Sequence, residues 1–132
     1  MAGFIDSDGS IYIAKSSDSS RTYYRVFLTV TNASREICEW FMAHTSSGGV
    51  YKSNYKSRSA KHAEVYRWVC QRADDVEEVL GLLLPVLKVK HNRAEVALNL
   101  LSLRGLRPSL EVDAKREYLF TQMKDLNRRG PK

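Results

Sequence analysis

The sequence has little of what marks a secreted or membrane protein. It has only two cysteines among 132 residues, which excludes a disulfide-rich scaffold. No uncharged apolar run approaches the roughly 18 residues that span a bilayer, and the longest, residues 79–87, is broken by Pro85. Asp6 and Asp8 lie where a secretion signal has a basic region followed by an apolar stretch. These absences predict an intracellular protein without a membrane segment.

Length and composition favour a single folded domain. A chain of 132 residues can bury one core but is too short for two. The apolar fraction of 43% and the charged fraction of 27% are ordinary for globular proteins, which excludes global disorder and a collagen-like repeat. We expect one domain over residues 1–127 and a basic tail over residues 128–132.

Positive charge is concentrated in the first half of the chain. Lys and Arg total 21 against 15 acidic residues, a net charge of +6. Between residues 10 and 73 there are ten basic and four acidic residues, so this stretch carries an excess equal to that of the whole chain. Such a surface favours a polyanionic binding partner, with nucleic acid more probable than an anionic membrane. The alternative is a solvated basic face that binds no partner.

Two β-hairpins are predicted. Residues 10–16 and 23–31 are rich in β-branched and aromatic residues, and residues 50–56 and 63–71 repeat the pattern around a polar loop. Alternation along the second strand predicts a core face and an opposite, mostly polar and basic face. The predicted core face holds Tyr24, Val26, Leu28 and Val30, and the opposite face holds Tyr23, Arg25, Phe27, Thr29 and Thr31.

Helical spacing of apolar residues predicts helices over residues 35–45, 90–103 and 111–126. Another helix is predicted to begin at an N-cap formed by Asp74 or Asp75. Helices packed on one side of two hairpins make an α+β domain whose other sheet face is open and basic. Three aromatic residues fit the apolar pattern and are expected in the core: Trp40, Phe41 and Trp68.

The first nine residues, Met-Ala-Gly-Phe-Ile-Asp-Ser-Asp-Gly, carry the most specific motif. This segment resembles the signature of the LAGLIDADG homing endonucleases at eight of its nine positions, with Met1 in place of the leading leucine. Residues 84–90, Leu-Pro-Val-Leu-Lys-Val-Lys, are similar to the Pro-x-Leu-Lys-x-Lys segment of that family. The resemblance extends from the first residue to about Leu103.

The resemblance implies both a fold and an activity. The fold is αββαββα, with an antiparallel sheet whose open face binds double-stranded DNA. The activity is that of a homodimeric homing endonuclease, which makes double-strand breaks in a long pseudo-palindromic target by Mg²⁺-dependent phosphodiester hydrolysis, with Mn²⁺ as a substitute ion. The alternatives on the same fold are an RNA maturase that assists intron splicing and a non-catalytic DNA-binding regulator.

The physical chemistry of the signature agrees with this interpretation. Gly3 and Ser7 lie four residues apart, so a helix through them has a notched face, flanked by Phe4, that a second helix can approach. Asp8 falls at the helix end where the macrodipole opposes negative charge. Two such helices side by side bring two Asp8 carboxylates together, and a divalent cation relieves their repulsion. As a tetrapeptide alone, residues 6–9 would be interpreted as a polar turn.

The resemblance also implies roles for individual residues. Asp8 and Gly9 are the expected metal site, and Lys90 is expected beside the attacking water and the scissile phosphate, with Lys88 as its competitor. Asn32 follows as a third catalytic candidate, since relatives carry a polar amide at this position. The remaining acid, Asp6, is expected to cap or pack rather than to bind metal.

Alternation also predicts which strand residues contact DNA in the major groove. The expected set is Tyr12, Ala14, Ser16, Tyr23, Arg25, Phe27, Thr29, Lys52, Asn54, Lys56 and Arg67. The histidines and cysteines lack metal-finger spacing, so a structural zinc site is not expected.

Overall fold

The computed structural model describes residues 1–53 and 65–128, which form five α-helices and four strands. A 3-10 turn over Leu84–Val86 connects two of the helices. The elements in chain order are α1 (Ala2–Asp8), β1 (Gly9–Ser17), β2 (Thr22–Asn32), α2 (Arg35–Thr45), β3 (Gly49–Ser53), β4 (Val65–Cys70), α3 (Ala73–Leu83), α4 (His91–Leu101) and α5 (Leu110–Arg128).

The four strands form one antiparallel sheet in the order β1-β2-β4-β3. The two hairpins lie side by side, with the second strand of each at the centre. This arrangement confirms the predicted α+β class. The order of elements likewise confirms the predicted hairpin, helix and second hairpin followed by helices.

The core lies between one face of the sheet and the helices. Alternate residues of β2, Val26, Leu28 and Val30, are buried there, as the alternation predicts. Trp68 of β4 is also fully buried, and its ring stacks on that of Phe41 at a centroid distance of 5.1 Å. Burial of each large apolar side chain contributes about 1.5–3 kcal/mol. This core holds the sheet flat against the helices and leaves its other face uncovered.

Trp40 differs from the expectation of a core position, since 38% of its surface is exposed. It lies on α2 beside the fully buried Phe41, and its ring contacts His44 on one side and Phe4 of α1 on the other. The apolar stripe of α2 is therefore wider than the surface that the sheet covers. Phe41 and Trp68 occupy the core as predicted.

Helix boundaries follow the predictions to within a few residues. The helix α2 has the predicted bounds, whereas α3 begins at Ala73 with Arg72 at its N-cap position. Asp74 and Asp75 thus lie in the first turn, where the helix dipole stabilises acidic side chains, and not at the cap. The last helix continues through Arg128, the first residue of the predicted tail. Residues 129–132 lie outside the described part of the chain.

Within the part of the chain that the structure describes, every helix is too short or too polar to cross a membrane.

Candidate active site and nucleic-acid interface

The helix α1 packs one side against the rest of the chain and exposes the other. Ile5 is fully buried, whereas Gly3, Phe4 and Ser7 are exposed. The Ser7 hydroxyl donates to the Gly3 carbonyl at 3.0 Å, which folds the side chain back along the helix and keeps the surface low. A Cβ atom added at Gly3 would meet nothing within 4 Å. The predicted notch therefore exists and is open within the subunit.

Gly9 joins α1 to β1 without a break. A Cβ atom at this position would lie 2.6 Å from the carbonyl oxygen of Ile5, closer than real Cβ atoms approach. Only glycine lets the chain pass directly from the helix into the strand. The observed contribution of Gly9 is therefore to place Asp8 at the exposed junction, and its part in metal binding stays a prediction.

Asn32, at the end of β2, orients the carboxylate of Asp8. Its Nδ2 donates to Asp8 Oδ2 at 3.0 Å, while its Oδ1 accepts the backbone N–H of Ser34 at 2.8 Å. Since the Ser34 N–H can only donate, the side-chain oxygen must face it, and this sets the orientation of the amide. The structure thus brings two of the predicted catalytic residues into contact.

Asp6 points away from Asp8 and holds the segment before α4. Its two carboxylate oxygens accept the backbone N–H groups of Lys88 and Lys90 at 2.9 and 3.0 Å. Desolvation opposes ionisation of Asp6, but hydrogen bonds from the backbone of residues 88–90 outweigh it and lower its pKa below the usual value. Asp6 has the structural role that was expected of it.

Lys90 rather than Lys88 turns its ammonium group toward the end of α1. Its Nζ donates to the carbonyl oxygen of Asp6 at 2.6 Å. Partial desolvation, with a further contribution from Arg93, lowers the pKa of Lys90, while the charges of Asp6 and Asp8 act in the opposite direction. A cation is therefore held at the last turn of α1, the helix that ends at Asp8.

The predicted DNA face is the uncovered side of the sheet. Tyr12, Ala14 and Ser16 alternate with the buried residues of β1, and Tyr23, Arg25 and Phe27 do so on β2. Tyr12 and Phe27 are register partners whose rings stack at 5.1 Å, and Arg67 of β4 donates from Nη2 to the Tyr12 hydroxyl at 3.2 Å. The face combines aromatic surface with two arginines.

The same overall fold occurs in solved structures of homing endonucleases. The homing endonuclease I-CvuI, in complex with the I-CreI target, superposes with a TM-score of 0.82 at 23% identity, over 99% of this chain and 81% of that one. The archaeal intron-encoded homing endonuclease I-Vdi141I, complexed with DNA, gives a TM-score of 0.82 at 14% identity, and the match covers 99% of this chain and 84% of I-Vdi141I. The LAGLIDADG homing endonuclease I-GzeII, in complex with its DNA target, gives a TM-score of 0.71 at 13% identity, and the match covers 98% of this chain and 43% of I-GzeII.

The chain has the LAGLIDADG homing-endonuclease fold. The family resemblance of the first nine residues is thereby confirmed at the level of architecture. Comparison with models of known protein families and with curated proteins gave no match. Within this fold, α1 is the signature helix, and the sheet face opposite the helices is the uncovered one.

One of the predicted DNA contacts, Lys52, lies on the other face of the sheet, and another, Thr29, lies on the expected face but is buried. Lys52 pairs with Tyr66 and lies next to Val50, which pairs with Trp68, so it shares the side of the sheet that faces the helices. The residue on the open face is Tyr51, which is 57% exposed and which the sequence analysis missed. Period-two counting from the apolar Val50 would have found it.

Thr29 lies on the open face but is only 3% exposed, so its hydroxyl is not available to a base as it stands. Its neighbours in register are Ser10 on β1 and Val69 on β4, which enclose it at the centre of the sheet. Asn54 and Lys56 lie outside the described residues.

The described residues offer a divalent cation one exposed carboxylate at the end of α1. Over residues 1–53 and 65–128, His, Cys, Asp and Glu side chains form no group of three that could hold a metal. Asp8 offers one exposed carboxylate at the helix end, and one of its oxygens already accepts the Asn32 amide. Mg²⁺ commonly binds through one or two carboxylates with water and phosphate oxygens. Asp8 therefore fits as one carboxylate ligand of such an ion.

Proposed function

We propose that this protein is a site-specific homing endonuclease that acts as a homodimer and hydrolyses both strands of a DNA target with Mg²⁺. The observation that carries the proposal is the junction of α1 and β1. There Asn32 orients the Asp8 carboxylate, and the ammonium group of Lys90 binds the Asp6 carbonyl oxygen in the last turn of the same helix. The fold in which this junction lies is shared with homing endonucleases whose structures contain DNA.

A second copy of the chain completes the site. One subunit supplies one Asp8, and the face formed by Gly3, Phe4 and Ser7 has room for a neighbouring helix at backbone contact. The length comparison supports pairing. Nearly the whole of this chain matches only 43% of the I-GzeII chain, so that two copies of it would match the length of I-GzeII better than one. Two α1 helices packed on each other would place the two Asp8 carboxylates side by side at the shared junction.

The chain's own residues orient the carboxylate ligand and supply positive charge. Asn32 holds the Asp8 carboxylate in one orientation, and Lys90 places positive charge where a scissile phosphate would develop negative charge. Mg²⁺, when bound, activates water and stabilises the leaving oxygen. The open sheet face supplies the surface for the DNA, with arginines able to contact base edges in the major groove.

Replacement of Lys90 by methionine tests its part in catalysis. We expect Lys90→Met to slow cleavage by roughly 10²–10³-fold, the usual effect of removing one electrostatic donor from an active site. DNA affinity should change little, because one charge among many is lost. Single-turnover cleavage and equilibrium binding measure the two effects separately.

The matched control for this variant is Lys88→Met, which removes the same charge two residues away. Lys88 reaches Asp6 only through its backbone N–H, so this variant should cleave as the wild type does. Equal slowing by both variants would show that the effect is one of overall charge and would contradict the role of Lys90.

The proposed function is tested on the wild-type protein with a randomised double-stranded DNA library. We expect selective binding, and with Mg²⁺ a double-strand break at the selected site. EDTA should abolish cleavage, and Ca²⁺ should support binding with little hydrolysis. Tight binding of structured intron RNA without any DNA cleavage would overturn the proposal in favour of a maturase on the same fold.

A further inference from the structure

Three side chains of the open face form one connected unit that spans β1, β2 and β4. Tyr12 and Phe27 stack almost in parallel, with an interplanar angle of 8°. The hydroxyl of Tyr12 accepts a hydrogen bond from Nη2 of Arg67. The sequence predicts these residues as three separate DNA contacts, whereas the structure makes each depend on the next.

Arg67 lies across the sheet rather than upright on it. Its register partner on β2 is Thr31, whereas the partner of Tyr12 is Phe27, four residues away along that strand. To reach Tyr12, the Arg67 side chain must cross β2 between these two partners, over Thr29. Thr29, which Ser10 and Val69 enclose on either side, lies on β2 between the two register positions that the bridge joins.

The bridge prepares Arg67 for a bidentate contact. A guanidinium group has five N–H donors, and the bond to Tyr12 uses one of them, so the others remain for a base edge. A long side chain that is ordered before binding loses less rotamer freedom when it binds. Tyr12, by contrast, has its ring against Phe27 and its hydroxyl engaged, so its own surface is largely committed within the protein.

We propose that Arg67 specifies a guanine in each half of the DNA target, and that Tyr12, held by Phe27, is the residue that positions its guanidinium. The inference deepens the proposed function and rests on it, since the ligand is duplex DNA. Arginine to guanine is the commonest specific contact in the major groove. Tyr12 is a positioning residue, and its effect on sequence preference passes through Arg67.

The test compares Tyr12→Phe with Arg67→Ala on duplexes that carry each of the four base pairs at each position of the selected site. Arg67→Ala should remove discrimination at one position per half-site, by roughly 5- to 150-fold. Tyr12→Phe keeps the ring stack and loses only the hydroxyl. It should weaken discrimination at that same position, and the double variant should show no further loss.

The control is Tyr118→Phe, which removes the same hydroxyl from an exposed tyrosine of α5, outside the sheet face. It should leave the preference at the Arg67 position unchanged. A change at a different position in Tyr12→Phe, additive losses in the double variant, or wild-type discrimination in Tyr12→Phe would each overturn the inference.

A measurement without DNA separates this inference from the proposed function. Side-chain ¹⁵N relaxation of Arg67 in the free protein should show a guanidinium that is rigid in the wild type and mobile in Tyr12→Phe. Equal mobility in both would overturn the positioning role even if the protein cuts DNA. A rigid Arg67 in a protein that binds no DNA would overturn the proposed function and the guanine assignment, while the bridge itself would stand.

Discussion

Replacement of Asp8 by asparagine should abolish double-strand cleavage while leaving DNA affinity equal or higher. The variant removes the exposed carboxylate through which each subunit would hold a divalent cation. It also removes a negative charge near the phosphates, and it leaves the residues of the sheet face unchanged. Single-turnover cleavage of the selected site with Mg²⁺, beside equilibrium binding in Ca²⁺, measures both effects.

A matched control for this variant is Asp125→Asn. It changes an exposed carboxylate of α5, which is remote in sequence from the junction of α1 and β1. It should cut as the wild type does. Cleavage at the wild-type rate by Asp8→Asn would show that the active site lies elsewhere. If Asp8→Asn lost both DNA binding and cleavage, Asp8 would act in folding or assembly.

The variant Gly3→Leu should convert the protein to a monomer and remove cleavage. Within the subunit a Cβ atom at this position meets nothing, so the fold of the subunit itself should be retained. Leucine is also a better helix former than glycine. In a paired helix, the larger side chain would prevent backbone contact, with an overpacking cost of about 1–3 kcal/mol for each copy.

Sedimentation velocity at several protein concentrations measures the expected change, and circular dichroism shows whether the subunit remains folded. The matched control is Gly81→Leu on α3, another exposed glycine whose Cβ position is open. It should stay dimeric and active. A wild type that is monomeric with and without DNA would contradict the proposed assembly, as would a dimeric Gly3→Leu variant.

Local sequence patterns predicted much of the fold because they report local physics. Alternation along β2 identified its core face, since successive side chains of a strand point to opposite sides. The helix α2 was predicted with its observed bounds. The same method failed for Lys52, because the alternation was counted from the wrong residue of β3. A shift of one residue moves every side chain to the other face of the sheet.

The nine-residue signature by itself determined the family resemblance, the exposed small-residue helix and the position of Asp8 at its end. Only the tertiary structure decided the contacts between residues that lie far apart in sequence. Asp6 reaches Lys88 across 82 positions, and Arg67 reaches Tyr12 across 55. Such pairs depend on how the elements pack, which periodicity along one segment does not encode. The Asn32 amide and the Lys90 ammonium group of the candidate site therefore reach the end of α1 only when α1, β2 and the segment before α4 are packed together.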